Sequence, residues 1–475
     1  MLAILNRRRS NPVKLTFSKI WEVVLVSRRD YKFLSEQGRI EAEKGKVRDQ
    51  VDRLVQAGVD EGAQTYAHLL LKCGDYKLLA EGERLHATIY ERWRQRPERL
   101  LLNCLVEMYG KCGSLDKAWL VFSSIKTCNV YSWTIAIAAF AVNGDYSGAL
   151  ALFRKMDLDG VKANFVTYVN VISACSGLLD PRECKRVHSR VVEEGFDRDL
   201  VVATALVTMY GKCADFGAAR MVFEKISSKN DVVSWNALIA AYAQQGLYRE
   251  CVELYERMPV RANEVTFVSV VDAFAGLGDL EHSRRVHARI VEDGLENDCL
   301  KSALVDAYGK CGSPAESKQV FDSMVWRESS TWNALIAAFA QQRDSVTCVA
   351  ILRQMDQDGV RSTELTFVSL LGGFSTTASL RAGRQLHSRV LAMGFYSDLM
   401  VGSALVTMYG RCGAVDQARA VFDGMEERNA VSFNSMIGAY AELGLARQAL
   451  EVLWAMDQPC GVAWRGPRQL SVHER

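Results

Sequence analysis

Gly110-Lys111-Cys112-Gly113 recurs as Gly211-Lys212-Cys213-Ala214, Gly309-Lys310-Cys311-Gly312 and Gly410-Arg411-Cys412-Gly413, at steps of about one hundred residues. Self-similarity at fixed spacing means a stacked array of supersecondary units, not one closed core. In such an array each unit draws its stability from its neighbours. Whatever recurs in step with the array is first of all scaffold.

Other landmarks keep the same step. Trp133, Trp235, Trp332 and Phe433 lie in SWT, SWN, TWN and SFN, and Thr-aromatic pairs stand at Thr65-Tyr66, Thr167-Tyr168, Thr266-Phe267 and Thr366-Phe367. Aligned with the first series, they cut each hundred into units of about 35, 35 and 31 residues. The units are 63–98, 99–129, 130–164, 165–199, 200–231, 232–263, 264–297, 298–328, 329–363, 364–398, 399–429 and 430–456. Each reads as two helices. In 232–263, Leu238, Ile239 and Tyr242 form one apolar stripe, Gly246 interrupts, and Cys251, Leu254, Tyr255 and Met258 follow at i, i+3, i+4, i+7, the spacing of an amphipathic helix.

The second helix repeats one rule: Ala118-Val121-Phe122-Ile125, Ala149-Leu152-Phe153-Met156, Ala219-Val222-Phe223-Ile226, Ser317-Val320-Phe321-Met324, Cys348-Ile351-Leu352-Met355 and Ala418-Val421-Phe422-Met425. A small residue lets helices approach, and the larger ones fill the gap. The fifteenth residue is glycine in seven units (Gly113, Gly144, Gly246, Gly278, Gly312, Gly413, Gly444), as suits a left-handed residue that ends a helix. Lys77, Leu179, Ala214, Arg343 and Ala378 depart from it.

Bulk properties agree with a folded helical chain. Of 475 residues, 49% are hydrophobic, 24% are charged and only seven are proline. A net charge of +2 is low for a nucleic-acid binder, so any basic surface must be local. Thirteen cysteines are an odd number, follow the repeat and include no CxxC pair, which points to free thiols rather than disulfides or zinc. No apolar run is long enough to span a bilayer, so no membrane partner is expected. Residues 1–21 lack Asp and Glu but hold Arg7, Arg8, Arg9, Lys14 and Lys19. Residues 1–27 resemble an organellar transit peptide, for a mitochondrion or chloroplast. The other reading is a plain basic tail. Residues 28–62 read as a polar helical lead-in.

His86, His188, His287 and His387 look like a catalytic or metal set. Each, however, occupies the place in the second-helix stripe where other units carry Phe, Tyr or Leu, and successive ones belong to different layers. They are expected to be packed imidazoles with one polar contact each. Cys112, Cys213, Cys311 and Cys412 are expected to be buried small hydrophobes. Trp133, Trp235 and Trp332 are expected in the core. No phosphate loop or catalytic triad stands outside the repeat, so no catalysis, cofactor or metal is expected. The fifth residue of each first helix remains: Asn103, Thr134, Thr204, Asn236, Ser302, Asn333, Ser403 and Asn434 in two unit types, but Ala67, Val169, Val268 and Val368 in the third. Asn, Thr and Ser can hydrogen-bond a base edge, and Val cannot. The competing reading is that they cap helix starts.

The stretches VVSWNALIAAYAQQG (232–246), EVTFVSVVDAFAGLGDL (264–280) and SALVDAYGKCG (302–312), with their echoes over 63–456, resemble the pentatricopeptide repeat family, in its plant subclass of alternating P, L and S repeats. The resemblance implies an all-α, right-handed superhelical α-solenoid of about twelve helix-turn-helix repeats. Its first helices would hold single-stranded RNA at about one base per repeat. It further implies that the fifth and last residues of a repeat together choose the base. The pairs are then Asn103 with Asn129, Thr134 with Asn164, Thr204 with Asp231, Asn236 with Asn263, Asn333 with Thr363, and Ser403 with Asn429. By the family's code these lean C, A, G, C, pyrimidine and A, 5′ to 3′. Asn230 is the alternative partner of Thr204, which would turn G to A. Ser302 with Glu328 matches no combination, and the Val-bearing L-type repeats would space the RNA.

The chain departs from the subclass in lacking the usual Pro before the last residue of its P-type repeats. Unit 232–263 is three residues short. The pattern stops near Met456, and 457–475 is unpatterned. A deaminase would need His-x-Glu and a paired-Cys site, so none is expected here, and the chain reads as truncated. The leading expectation is a sequence-selective RNA-binding adaptor in organellar editing, processing or stabilisation, with any chemistry done by a separate deaminase or editing factor. The alternatives are a helical protein-interaction scaffold or a truncated, non-functional remnant.

Overall fold

In the computed structural model, residues 39–56, 62–93, 97–226 and 231–456 are described, and they contain helices and turns but no strand. The expected transit peptide over 1–27, the tail over 457–475 and the alternative partner Asn230 lie outside the described residues. The chain divides into two compact units, Met1–Ser227 and Ser228–Arg475.

Each unit is an α-solenoid of stacked hairpins. The first holds a helix over 39–56, then hairpins whose first helices are Ala63–Asp75, Arg99–Lys111, Val130–Val142, Phe165–Leu178 and Leu200–Lys212. In the second, the first helices are Val232–Gln244, Glu264–Leu277, Asp298–Lys310, Ser329–Gln341, Glu364–Gly372, Leu399–Arg411 and Ala430–Glu442. Within a unit, successive first helices pack side by side, and each second helix leans on its own first helix and on the next one. First helices are therefore covered on most sides, and Val130–Val142 is apolar nearly all round. Second helices keep one wet face.

The second-helix stripes pack as their spacing suggests. Ala118, Val121 and Phe122 are buried, as are Ala149, Leu152, Phe153 and Met156, and likewise Ser317, Val320, Phe321 and Met324. Their rings meet the fourth residue of the next first helix edge to face: Phe122 with Trp133 at 4.9 Å, Phe321 with Trp332 at 4.6 Å, and Phe422 with Phe433 at 5.2 Å between centroids. Trp133, Trp235 and Trp332 are buried, so they are core and offer no face to a base. One stripe differs. In 232–263 the second helix runs only over Tyr248–Glu256, and of its stripe only Cys251 is buried while Leu254, Tyr255 and Met258 are half-exposed. The missing three residues remove the helix's last turn, so the spacing overstates the packing there.

The opening tetrapeptide is a piece of helix termination. A Cβ on Gly110 would stand 2.5 Å from the Cβ of Ala139, so this glycine lets adjacent first helices touch. Gly113 has φ +81°, the left-handed residue that stops the helix. Four of the five departures keep that conformation without glycine: Lys77, Leu179, Ala214 and Arg343 have φ between 55° and 58°. At Ala378 the chain takes another route, ending its first helix at Gly372 and crossing a 3-10 turn over Thr377–Ser379.

Candidate nucleic-acid interface

The last residue of most repeats is an N-cap. Asn129 accepts from the Ser132 amide at 3.0 Å, Asn164 from Thr167 at 2.9 Å, Asp231 from Ser234 at 2.9 Å, Asn263 from Thr266 at 3.1 Å, Thr363 from Thr366 at 3.4 Å and Asn429 from Ser432 at 3.0 Å. An Asx or Ser/Thr oxygen at this place satisfies an amide that the helix leaves free. Glu98 and Glu328 make no such bond. Capping therefore belongs to the last residues. The competing reading, that the fifth residues cap, is corrected: they lie one turn inside the helix.

Four of the fifth residues instead reach the third residue of the next repeat. Thr134 Oγ1 lies 2.7 Å from Thr167 Oγ1, and Ser302 Oγ lies 2.8 Å from Thr331 Oγ1. Thr266 Oγ1 donates to Asn236 Oδ1 at 2.6 Å, and Thr366 Oγ1 to Asn333 Oδ1 at 2.7 Å. Asn236 Nδ2 donates to Asn263 Oδ1 at 2.9 Å, joining the fifth and last residues directly. Asn333 Nδ2 and Thr363 Oγ1 are 3.5 Å apart. Thr134, Ser302 and Ser403 also donate to the carbonyl four residues back, which fixes their rotamers.

Burial divides the set. Asn103, Thr134, Asn236, Asn333 and Ser403 are buried, Thr204 and Ser302 are half-buried, and Asn434 is exposed. Asn103 Oδ1 is buried with no hydrogen-bond partner, an acceptor in want of a donor. Thr204 and Asp231 belong to different units, and each is placed only within its own.

Around these polar pairs the second residue of nine of the twelve first helices stands out as bare apolar surface. Leu100, Tyr131, Val166, Val201, Val233, Val265, Leu365, Met400 and Val431 are all exposed. Sequence reading did not single them out one by one; their recurrence in register is the signal that could have. Between Tyr131 and Val166 a cleft of about 370 Å³ opens, with Thr134 and Asn164 in its wall and Lys111 and Asn170 at its margin. Its lining is mostly apolar with a few convergent polar groups, which suits a flat ring bearing hydrogen-bonding edges. Lys111 is itself paired, at 2.7 Å to Asp75 and 2.9 Å to Glu107.

The in-register histidines and cysteines lie outside this interface. Each histidine Nδ1 meets a tyrosine hydroxyl of the next repeat: His86 with Tyr109, His188 with Tyr210, His287 with Tyr308 and His387 with Tyr409, at 2.7–2.9 Å. Of the cysteines, Cys412 is buried, but Cys112, Cys213 and Cys311 are half-buried. All four stand at the C-cap of a first helix, and only at Cys412, whose Sγ lies 3.6 Å from Ser379 Oγ of the 3-10 turn, is the thiol fully covered. Burial pushes the Cys213 thiol up to about 12, and Cys184, whose sulfur is 3.4 Å away, adds to it. Among the described residues no group of His, Cys, Asp or Glu could hold a metal, and no helix is long and apolar enough to cross a membrane.

Comparison with known proteins points the same way. Models described as "PPR repeat" match 101–130, 131–161, 166–196, 302–328, 403–429 and 431–458; one described as "PPR repeat family" matches 230–276, and one described as "Pentatricopeptide repeat domain" matches 328–376. A mitochondrial pentatricopeptide repeat-containing protein of Arabidopsis thaliana is 30% identical over 410 residues, 85% of this chain and 59% of the relative. Two chloroplastic ones are 34% identical over 357 residues (74% and 58%) and 29% identical over 413 residues (86% and 43%). The chain thus spans about half the length of these relatives. Among solved structures, maize PPR10 superposes with a TM-score of 0.63 at 17% identity, covering 86% of this chain and 60% of that one. PPR10 in complex with an 18-nt psaJ RNA element superposes with a TM-score of 0.55 at 16% identity, covering 86% and 70%.

Proposed function

This chain belongs to the pentatricopeptide repeat family, and from that premise we propose that it is a sequence-selective, single-stranded RNA-binding adaptor without catalysis of its own. One observation carries the reading. The cleft between Tyr131 and Val166 brings an apolar slot and the hydrogen-bonding side chains of Thr134 and Asn164 to one place. A base would slide between the two side chains and offer its pairing edge to Thr134 and Asn164. Each further pair within a unit, Asn103 with Asn129, Asn236 with Asn263, Asn333 with Thr363, and Ser403 with Asn429, would do the same for another base. The unpartnered Asn103 Oδ1 would gain a donor.

The array is taken to run over 63–456 in the PLS arrangement. The work of such an adaptor would be to mark an organellar transcript for C-to-U editing, processing or stabilisation, and a separate deaminase or editing factor would supply any chemistry. A mitochondrial or chloroplast location is in keeping with the names of the relatives. Selection of RNA from a random pool on the full chain tests the proposal. Enrichment of a motif in keeping with C, A, G, C, pyrimidine, A at the reading repeats, with affinity falling as salt rises, is the expected result. No enriched motif would return the chain to the scaffold reading.

A further inference from the structure

The P-type repeat 232–263 is built differently from its two counterparts. In 130–164 and 329–363 the second helix runs over Tyr146–Leu158 and Ser345–Gln357; in 232–263 it stops at Glu256. Register shows what is gone. Met156, Met355 and Met258 share one position, but Asp157-Leu158-Asp159-Gly160 and Asp356-Gln357-Asp358-Gly359 are replaced by Pro259 alone.

Two consequences meet in one place. The first is a cavity of about 290 Å³, lined by Tyr255, Met258, Val260 and Phe267 and bordered by Glu256, Arg261, Arg289 and Asp293. In the full-length repeats the equivalent side chains Phe153, Met156, Leu352 and Met355 are buried, whereas Tyr255 and Met258 are half-exposed. The second is a guanidinium that has lost its cross-repeat carboxylate. Arg190 clamps Asp157 with Nη1 and Nη2 at 2.6 and 3.0 Å, and Arg389 clamps Asp356 at 2.7 and 2.6 Å. Arg289 is the third member of that series, and the residue it would clamp is absent. It reaches Asp293 on its own helix through Nε at 3.3 Å, and Asp293 is also held by Arg261 at 2.9 Å. A second carboxylate is compatible with Asp293, because Arg190 takes Glu194 at 3.1 Å besides Asp157.

We propose that this cavity is a docking site for a partner protein, which inserts a helix end bearing an aliphatic side chain beside an Asp. The aliphatic group would cover Tyr255, Met258 and Phe267, and the carboxylate would take the Arg289 fork in the bidentate geometry seen twice elsewhere in the chain. None of the fifth or last residues lines the cavity, so the site is separate from the proposed path of the RNA.

The chain's own missing turn supplies the probe. A fluorescein-labelled peptide of sequence Arg-Lys-Met-Asp-Leu-Asp-Gly-Val, copied from residues 154–161, is titrated with the full chain at low salt and followed by anisotropy. Saturable binding is expected, weakened about tenfold or more when the first Asp is changed to Asn or when Arg289→Lys removes the fork. Replacing Pro259 with Asp-Leu-Asp-Gly should fill the cavity from within and abolish binding while RNA selection is unchanged. Equal binding of the Asp and Asn peptides, binding that survives the insertion, or no saturable binding at millimolar peptide would each overturn the proposal. Displacement of the peptide by oligouridine would also overturn it, by placing the site on the RNA path.

Discussion

The Nδ1 atom of His188 lies 2.8 Å from the Tyr210 hydroxyl in the following repeat, and three further repeat junctions carry the same pair at 2.7–2.9 Å. Burial is the first cause that lowers the pKa of all four imidazoles; Lys117 beside His86 and Lys225 beside His188 lower it further. Burial likewise pushes Tyr109, Tyr210 and Tyr308 up to about 12, so each hydroxyl stays protonated at neutral pH.

A pH dependence follows from that sign. Below about pH 6.5 an unfolded chain protonates its histidines while the folded one resists, so the unfolded state binds more protons. Stability present at pH 7.5 should be lost as pH falls towards 5. Thermal melts across that range should show the fall, and His188→Phe with Tyr210→Phe, which removes one of the four pairs, should make it shallower. An unaltered slope would mean that the His188–Tyr210 pair is not its source.

Four residues hold a left-handed backbone that disfavours a Cβ: Lys77, Leu179, Ala214 and Arg343. Each changed to glycine should stabilise the chain by about 1 kcal/mol, the steric cost removed less the entropy that glycine loses. Leu179→Gly is the most direct trial, since that side chain is exposed and little packing is lost. A denaturation midpoint that does not rise would contradict it.

Gly110 faces Ala139 at a distance that leaves no room for a methyl group. Gly110→Ala should destabilise by about 1–3 kcal/mol through overpacking, and Ala139→Gly in the same chain should recover much of it. Chemical denaturation of the single and double variants reads out the coupling.

Base choice at the repeat 130–164 should move with two side chains. Thr134→Asn with Asn164→Asp should shift preference from A towards U in the selected RNA. Asp still caps the helix as Asn164 does, so the melt should not change. Asn164→Ala is a poor test, because it removes the cap to Thr167 at a cost of about 1 kcal/mol as well as the reader.

Legibility in the sequence followed the range of the interactions. The all-helical class and the stripe Ala118-Val121-Phe122 rest on spacing along one helix, and the residues are buried as that spacing suggests. The stripe of 232–263 was read by the same rule and is only partly packed, because its burial depends on a turn that the repeat no longer has. Cys112, Cys213, Cys311 and Cys412 share the recurrence of core residues and a place at a helix cap, yet only Cys412 is buried there. The left-handed backbone at Arg343 could not be seen in a residue type that rarely adopts it.

By itself, the sequence determined the period, the helical alternation and the positions that repeat, since these depend on residues a few places apart. Only the tertiary structure decided what those positions meet. It put the cap of Asn263, the amide of Asn236 and the hydroxyl of Thr266 in one cluster, set His188 against Tyr210, and left Arg289 with Asp293 but without the cross-repeat carboxylate that Arg190 and Arg389 clamp, beside an open cavity. The physical reason is one of distance: such partners lie 22 to 33 residues apart along the chain, and they meet only when neighbouring hairpins stack.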